Sequence, residues 1–273
     1  MEIRELTDLA ELRSCEQIQR VVWHPSEAEV VGLGQFRAAQ HAGGLVAGAW
    51  RDGELIGFCY GFPAYRNDAH PPHGLHSHMT AVLPSLRNRG AGRALKWFQR
   101  DWCLARNISW VEWTFDPLRA ANARLNLEYL GATVGEYLID AYGSMDDDFN
   151  SGVPSDRLVA RWDLHDPAVV SLQRGCQRSA DPREHTVVLE YGAEDAPNDG
   201  LPCSPRLDRE ESVLSVMVPR DIGLLLQRSP QNALAWRLAV RSALCHYIEA
   251  GYRLTRFLDG SYHLGRNDGP AEN

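Results

Sequence analysis

Residues 75–106 read LHSHMTAVLPSLRNRGAGRALKWFQRDWCLAR, and this stretch decides the fold. Its first part, 75–84, is a strand-like run that stops at a proline. A loop with two glycines follows at 87–92, and a helix-forming run continues over 93–106. Glycines let the backbone approach an anion closely, and the first amides of a helix point at it with the positive end of the dipole. The stretch predicts a strand, a phosphate-binding loop and a helix; a plain strand-to-helix turn would use the same glycines.

Before this stretch, the sequence predicts a short strand at 2–7 and a helix that starts at Asp8, because apolar residues recur there at helical spacing. Two apolar, aromatic-rich runs, 44–50 and 54–62, flank the residues Arg-Asp-Gly. Asp-Gly between two such runs is a strong signal for a β-hairpin. We therefore expect two antiparallel strands there.

After it, 109–115 is aromatic and β-branched and predicts another strand. A helix is predicted over 121–130, and Gly131 is expected to end it. Two more strands are expected near 133–140 and 158–164. The fold class is therefore α/β (α+β), with a mixed sheet and helices.

The chain beyond this part predicts a smaller α/β extension. Prolines among charged residues make 176–211 linker-like, with one strand-like run inside it. A strand, a helix and a strand follow over 213–258, and the last residues, 265–273, are expected to fray. The order of elements repeats that of 77–114, so a degenerate internal duplication is a hypothesis.

Composition excludes several classes of protein. The 273 residues carry a formal net charge of −8, which argues against a protein that mainly neutralises nucleic-acid phosphates. Six scattered cysteines without CxxC pairs argue against a disulfide framework or a structural zinc site and favour a reducing cytoplasm. The start of the chain lacks a signal-peptide pattern, and no apolar run is long enough for a membrane span.

The spacing of Arg87, Gly90 and Gly92 after a strand that ends in Ala-Val-Leu-Pro resembles the signature of the GNAT superfamily of acyl-CoA N-acyltransferases. A closer likeness, to a branch of acyltransferases of this superfamily, is carried by the motifs LHSHM at 75–79, WTFDP at 113–117, NA at 122–123, YG at 142–143 and PSDR at 154–157. The resemblance covers residues 1–164. It implies a mostly antiparallel sheet flanked by helices, with 165–273 as an extension that is a candidate half-copy of the same fold.

The resemblance also implies where acyl-CoA would bind. The backbone of Ala81 and Val82 would pair with the pantetheine arm as an added strand, which is strand addition by a ligand. Asn122 would bond the pantetheine amide or the thioester sulfur, although asparagine is common at any helix start. The pyrophosphate would lie on the loop formed by Arg87, Asn88, Arg89, Gly90, Ala91, Gly92 and Arg93.

His76 and His78 lie two residues apart along the strand, so we expect them on one face together with Thr80 and Val82. Histidine titrates near neutrality and suits the deprotonation of an amine, and one or both are the predicted base; a buried or a surface histidine is the other interpretation. Arylalkylamine N-acetyltransferases carry a similar HisxHis pair. With His70 and His73 nearby, a metal site is an alternative interpretation, but no third ligand is identifiable, so none is predicted.

The general acid is less well marked. The family often places a tyrosine four residues before the glycine that ends the helix, and here that residue is Leu127. Tyr129 and Tyr142 are the candidate proton donors, and the thiolate can also leave without one. Asp116 could orient a histidine or receive the substrate ammonium, or only form a turn before Pro117.

Residues 142–157 are expected to line the acceptor pocket, through Tyr142, Asn150, Asp156 and Arg157. Arg157 could bind a carboxylate of the acceptor or of a succinyl donor through two hydrogen bonds, or be a surface arginine. By resemblance, some enzymes of this branch acylate amino-acid amines.

The leading prediction is a cytoplasmic enzyme that moves an acetyl or other short acyl group, such as succinyl, from CoA to the amine of a small molecule. The runner-up is a non-catalytic acyl-CoA-binding or sensing module. We expect no nucleic-acid partner, no membrane and no metal, and a homodimer in which 165–273 extends the sheet, walls the acceptor pocket or pairs subunits.

Overall fold

The computed structural model describes residues 1–87, 89–143, 152–178, 184–192 and 200–266. These residues form two compact units. The first unit comprises Met1–Trp113 and Trp162–Arg174, and the second comprises the other described residues. The domain limits predicted from the sequence, 1–164 and 165–273, follow the extent of a resemblance and stay a prediction.

The strands and helices follow one another as a mixed α/β chain. The strands are β1 (Glu2–Glu5), β2 (Leu45–Arg51), β3 (Glu54–Tyr65), β4 (His73–Val82), β5 (Trp110–Phe115), β6 (Thr133–Leu138), β7 (Arg157–Asp163), β8 (Thr186–Leu189), β9 (Val213–Met217), β10 (Tyr252–Leu258) and β11 (Ser261–Arg266). The helices are α1 (Leu9–Trp23), α2 (Leu33–His41), α3 (Ala91–Leu104), α4 (Ala120–Ala123, continued as a π-helical turn over Arg124–Tyr129), α5 (Pro167–Gln173), α6 (Ile222–Arg228) and α7 (Pro230–Glu249).

Local sequence signals account for the first elements. The Asp8 carboxylate accepts hydrogen bonds from the amides of Ala10 at 2.7 Å and Glu11 at 3.4 Å, so it caps α1. Asp52 and Gly53 both have positive φ, +53° and +83°, as the tight turn between β2 and β3 requires. The predicted hairpin is confirmed.

The sheet of the first unit has the order β1-β2-β3-β4-β5. All neighbours are antiparallel except β4 and β5, which are parallel. Helices α1 and α2 cover one face, where Phe36, Phe58 and Tyr60 are buried together. Helix α3 covers the other face, where the Cys59 thiol lies 3.9 Å from the Leu95 carbonyl. Each large apolar side chain buried in this way contributes about 1.5–3 kcal/mol.

The sheet of the second unit has the order β7-β6-β10-β11-β9-β8 and is antiparallel except for β8 and β9. Helix α7 buries Trp236, Val240 and Leu244. The predicted mixed, mostly antiparallel sheet flanked by helices is confirmed in both units. No helix in the described ranges combines the length and the apolarity that crossing a bilayer demands.

Four elements were not predicted: α2, α5, α6 and β11. The predicted frayed tail, 265–273, is wrong at its start, because Gly265 pairs with Val213 and Arg253 in β11. β10 and β11 form a hairpin around Asp259 and Gly260, which both have positive φ, and this local signal was overlooked. Residues 267–273 lie outside the described residues.

In the proposed repeat, β11 separates β9 from β10, whereas β4 and β5 pair directly, so the likeness is limited to element order.

Candidate active site

Strand β4 contains a β-bulge at the predicted histidine pair. Its register with β3 runs Tyr60↔Met79 and then Gly61↔Ser77, so His78 is an extra residue without a partner of its own. His78 contacts the Tyr60 ring, and Met79 also packs in the core under α1 and α2. Two consecutive side chains therefore lie on one face.

The bulge overturns one prediction. Alternation along an unbroken strand would place Thr80 and Val82 on the face of His76 and His78. Thr80 instead pairs with Cys59, which faces α3, and a Cβ built on Gly92 of α3 would lie 3.9 Å from Val82 Cγ2. The prediction was wrong because the extra residue shifts the alternation by one.

Aromatic rings hold the two histidines. His76 stacks on Phe62 with ring centroids 5.1 Å apart and planes at 23°. His78 lies 5.7 Å from the rings of both Tyr60 and Phe62, and 6.2 Å from His76. Partial burial, and secondarily the charge on His76, lower the pKa of His78 below its ordinary value of 6.5. His78 is therefore a neutral proton acceptor at neutral pH.

Glu112 on β5 is a site residue that the sequence analysis missed. Its buried carboxylate accepts a hydrogen bond from Arg66 Nε at 2.9 Å and lies 3.6 Å from His76 Nδ1. Burial opposes its ionisation, but His76 and then Arg66 outweigh burial and hold the pKa of Glu112 below its usual value. A lone carboxylate in the aromatic strand SWVEWTF was the available signal, because a buried charge needs a partner.

The loop before α3 has the form expected of an anion site. Gly90 has φ +86° and begins α3 without any side-chain cap, and its carbonyl accepts from the Ala94 amide at 2.9 Å. The amides of Ala91 and Gly92 lie in the first helical turn and point out of the helix. A Cβ on Gly92 would meet only Val82, at 3.9 Å, so the described chain leaves room for a ligand here.

Arginines surround this loop. Arg87, Arg89 and Arg93 are all exposed, and Arg87 Nε donates to the Val82 carbonyl at 3.3 Å. Asn88, also predicted to contact the pyrophosphate, lies outside the described residues. The residues present suit a diphosphate, because they combine first-turn amides, glycines and guanidinium groups.

Strands β4 and β5 separate beyond their first contacts. They pair at Leu75↔Val111 and His76↔Glu112, and no later pair joins them in the described residues. The edge of β4 that carries Ala81 and Val82 therefore has no strand partner on the β5 side. An extended ligand can hydrogen-bond to such an edge.

In the second unit, α4 carries Asn122 and Tyr129. Asn122 is exposed, and its amide donates to the Arg119 carbonyl at 2.9 Å in the first turn. Tyr129 is 44% exposed at the end of the π-helical turn. Leu127, where the resemblance expects a tyrosine, is fully buried, and Arg178 binds its carbonyl at 2.9 Å.

Asp116 forms the turn that ends β5. Its Oδ1 accepts from the Leu118 amide at 2.8 Å and lies 2.8 Å from Arg237 Nη1 on α7. The Arg237 side chain is fully buried, so this ion pair lies out of contact with solvent. Arg119 Nε lies 4.0 Å from its other oxygen, so Asp116 is engaged by a turn amide and by two cations.

Asp156 belongs to a second ion pair. Arg241 of α7 donates to both of its oxygens, at 2.8 and 2.7 Å, and the Tyr137 hydroxyl donates to it at 2.6 Å. Burial opposes the ionisation of Asp156, but Arg241 and Tyr137 outweigh it and lower its pKa. The carboxylate is therefore charged and fixed.

Tyr142 and Arg157 are brought together. The Arg157 guanidinium lies 5.2 Å from the centroid of the Tyr142 ring and donates to the Asp156 carbonyl at 2.9 Å. The Tyr142 hydroxyl lies 3.0 Å from Thr114 Oγ1. Asn150, the fourth predicted pocket residue, lies outside the described residues. In the described part of the chain, no three His, Cys, Asp or Glu side chains are grouped so that they could hold a metal ion.

Comparisons with known proteins give one family match, which includes strand β4 and the loop before α3. Residues 6–131 match the model of the acetyltransferase (GNAT) family. No curated protein matches the chain significantly.

Solved structures are also similar to the chain. One is yncA from Salmonella typhimurium with its cofactor acetyl-CoA, at 19% identity and a TM-score of 0.47, covering 61% of this chain and 95% of that one. Another is the ribosomal-protein-alanine N-acetyltransferase of Brucella melitensis, at 20% identity and a TM-score of 0.47, covering 60% and 99%. A third is an N-acetyltransferase from Staphylococcus aureus Mu50, at 15% identity and a TM-score of 0.48, covering 60% and 98%.

Proposed function

Residues 6–131 of this chain are a GNAT acetyltransferase domain, and from this premise we propose that the enzyme moves an acyl group from CoA to the amine of a small molecule. The single observation that carries the proposal is the start of α3. There, Gly90 at φ +86° and an uncapped first turn lie beside the unpaired edge of β4.

The pyrophosphate of CoA would bind to the amides of Ala91 and Gly92, with Arg87, Arg89 and Arg93 around it. The pantetheine arm would continue along Ala81 and Val82, with its amides paired to their backbone. A pantetheine arm bound in this way would bring the thioester towards the bulge in β4, where His78 lies. Asn122 is proposed to bond the arm or the sulfur.

His78 is the proposed base and His76 its partner. A neutral imidazole can accept the proton of the attacking ammonium, directly or through one water. The amine nitrogen then bonds to the thioester carbonyl carbon, the C–S bond breaks, and the electron pair leaves on sulfur. Tyr129 or Tyr142 is proposed as the donor to that sulfur, and Asp116 as a residue that positions the acceptor.

The acceptor class is proposed as an amine that also carries a carboxylate, such as an amino acid. Arg157 beside Tyr142 offers a planar cation for that carboxylate, or for the distal carboxylate of a succinyl donor. Asp156 would fix the loop that holds Arg157. A cytoplasmic homodimer is part of the same proposal.

Binding of CoA tests the loop. Gly92→Glu and Gly92→Ala are a matched pair, because the Cβ of either residue fits beside Val82 and only glutamate adds a negative charge. A carboxylate near a helix N-terminus stabilises the helix by about 0.3–1 kcal/mol, so the first variant should fold. By isothermal titration, we expect wild type and Gly92→Ala to bind free CoA and acetyl-CoA, and Gly92→Glu to lose binding.

A turnover assay distinguishes an enzyme from a non-catalytic binding module. The buried Leu127, which stands in place of a tyrosine, would favour the binding module. Release of free thiol is followed with acetyl-CoA and succinyl-CoA against a panel of amino acids and simple amines. Replacing His76 and His78 together by glutamine should reduce turnover by about 10²-fold or more while CoA binding is kept. CoA binding without turnover would identify a sensing module, and no binding by wild type would refute the proposal.

A further inference from the structure

Lys96 of α3 is the only lysine in the chain, and it is 3% exposed. Its Nζ donates to Ser77 Oγ at 2.9 Å and to Gln99 Oε1 at 2.8 Å. It also lies 3.7 Å from the centroid of the Trp113 ring. The titratable groups that act on it from the described residues are the thiols of Cys59 and Cys103, and no carboxylate is among them.

The position of this amine in the sheet is specific. Strands β4 and β5 last pair at His76↔Glu112, and the next residues along the two strands are Ser77 and Trp113. Both contact Lys96 Nζ. The amine therefore lies where the strands begin to separate, on the α3 side of the sheet, whereas the two histidines lie on the opposite side.

A purely structural role explains this residue poorly. Burying an ammonium without a counter-anion costs several kcal/mol. One hydroxyl, one amide and two aromatic rings, Trp113 and, at 5.6 Å, Trp162, offset only part of that cost. Burial accordingly lowers the pKa of Lys96 from 10.5 to about 7. A methionine would fill the same space without the penalty. A negative charge brought close to this amine would favour its ammonium form.

We propose that Lys96 stabilises the negative charge that develops on the CoA sulfur where β4 and β5 separate, acting across the gap and through the Ser77 hydroxyl. The inference rests on the proposed function, which places the thioester in this gap. In the reaction the C–N bond forms, the C–S bond breaks and the electron pair leaves on sulfur. Lys96 transfers no electrons, and its positive charge lowers the energy of the thiolate. It is thus a positioning residue for the leaving group.

A single lysine makes the test unambiguous. Protein labelled with ¹³C-lysine gives one Cε resonance, whose pH titration reports Lys96 alone. The titration is run on the wild-type protein without ligand, with free CoA, and with desulfo-CoA, which lacks the thiol. We expect CoA to raise the pKa of Lys96 by at least about one unit over desulfo-CoA, a tenfold change in proton affinity.

If both ligands bind and Lys96 has the same pKa with CoA as with desulfo-CoA, the role of Lys96 is refuted and the proposed function stays intact. If neither ligand binds, both proposals fall. A second measurement uses Lys96→Met: the thiol of bound CoA, followed by thiolate absorbance, should titrate at least about one unit higher than in wild type. An unchanged thiol titration in a folded variant contradicts the inference. If the variant does not fold, the wild-type titration still decides.

Discussion

His76 Nδ1 lies 3.6 Å from Glu112 Oε1, and Arg66 Nε holds the other oxygen of the same carboxylate at 2.9 Å. This places a charged, buried carboxylate behind the first histidine of the pair. A carboxylate at Nδ1 favours the tautomer with its proton on that nitrogen and leaves Nε2 as an acceptor. The arrangement therefore orients His76 and fixes the ring that faces His78.

Replacing Glu112 by glutamine should lower kcat by about 10-fold to 100-fold while the KM for acyl-CoA stays within about twofold, because the amide keeps the shape and loses the charge. Steady-state kinetics with acetyl-CoA measures this. Glu112→Asp serves as the control, since it keeps the charge and should recover part of the rate. A Glu112→Gln enzyme with wild-type kcat would show that the carboxylate only pairs with Arg66.

In the pH profile of kcat/KM, the fall in rate on the acid side (the acid limb) is expected to reflect the protonation of His78. Its pKa is lowered, first by burial and then by His76, so the neutral base persists below pH 6.5 and is lost only as the pH falls through that lowered value. The profile of log kcat/KM against pH should show this limb, and His78→Gln should abolish it. His76→Gln removes the neighbouring charge and should move the limb to higher pH. An acid limb that survives His78→Gln would point to another base.

Much of the fold was predictable because its signals are local. The Asp8 cap, the Asp52-Gly53 turn and the glycines before α3 each specify a backbone conformation without help from distant residues. Strand β11 carries such a signal too, because Asp259 and Gly260 form its turn with β10 at φ +50° and +80°, but this second Asp-Gly hairpin was overlooked in the sequence. Helix α2 was not predictable in this way, since its apolar residues face a sheet that exists only in the folded chain.

The site was predictable where it depends on residue spacing and not where it depends on partners. His76 and His78 are found by their alternation, but the bulge that turns Thr80 to the other face leaves no mark in the sequence. Glu112 is a single charge within an aromatic strand, and Lys96 is one of four charged residues along α3. Their importance follows from contacts with His76 and Ser77, residues of a different strand.

The ion pair between Asp116 and Arg237 predicts a strongly non-additive pair of mutations. Arg237→Met alone leaves a buried carboxylate at Asp116 and should destabilise the protein by about 3–5 kcal/mol. Asp116→Asn together with Arg237→Met removes both charges and should recover most of that loss, because no buried charge is then left without its partner. Urea unfolding followed by tryptophan fluorescence measures both. Additive losses would mean that the two side chains do not stabilise each other.

The stability of Lys96→Met relative to wild type should be greatest at pH 7 and fall as the pH rises. The pKa of Lys96 is about 7 in the folded chain and 10.5 is its ordinary value, so between these values the unfolded chain holds a proton that the folded chain does not. Wild-type stability therefore rises with pH by up to about 1.4 kcal/mol per unit in this window, and methionine removes that dependence.

The stability of the variant minus that of wild type should thus fall steadily from pH 7 towards pH 10. Unfolding in urea at pH 7, 8, 9 and 10 measures it, and other titrating groups cancel because they are common to both proteins. Lys96→Gln is the control for lost volume and hydrogen bonds, since it also lacks a titrating amine and should show the same flattening. A variant whose advantage does not change with pH would show that Lys96 keeps an ordinary pKa in the folded chain.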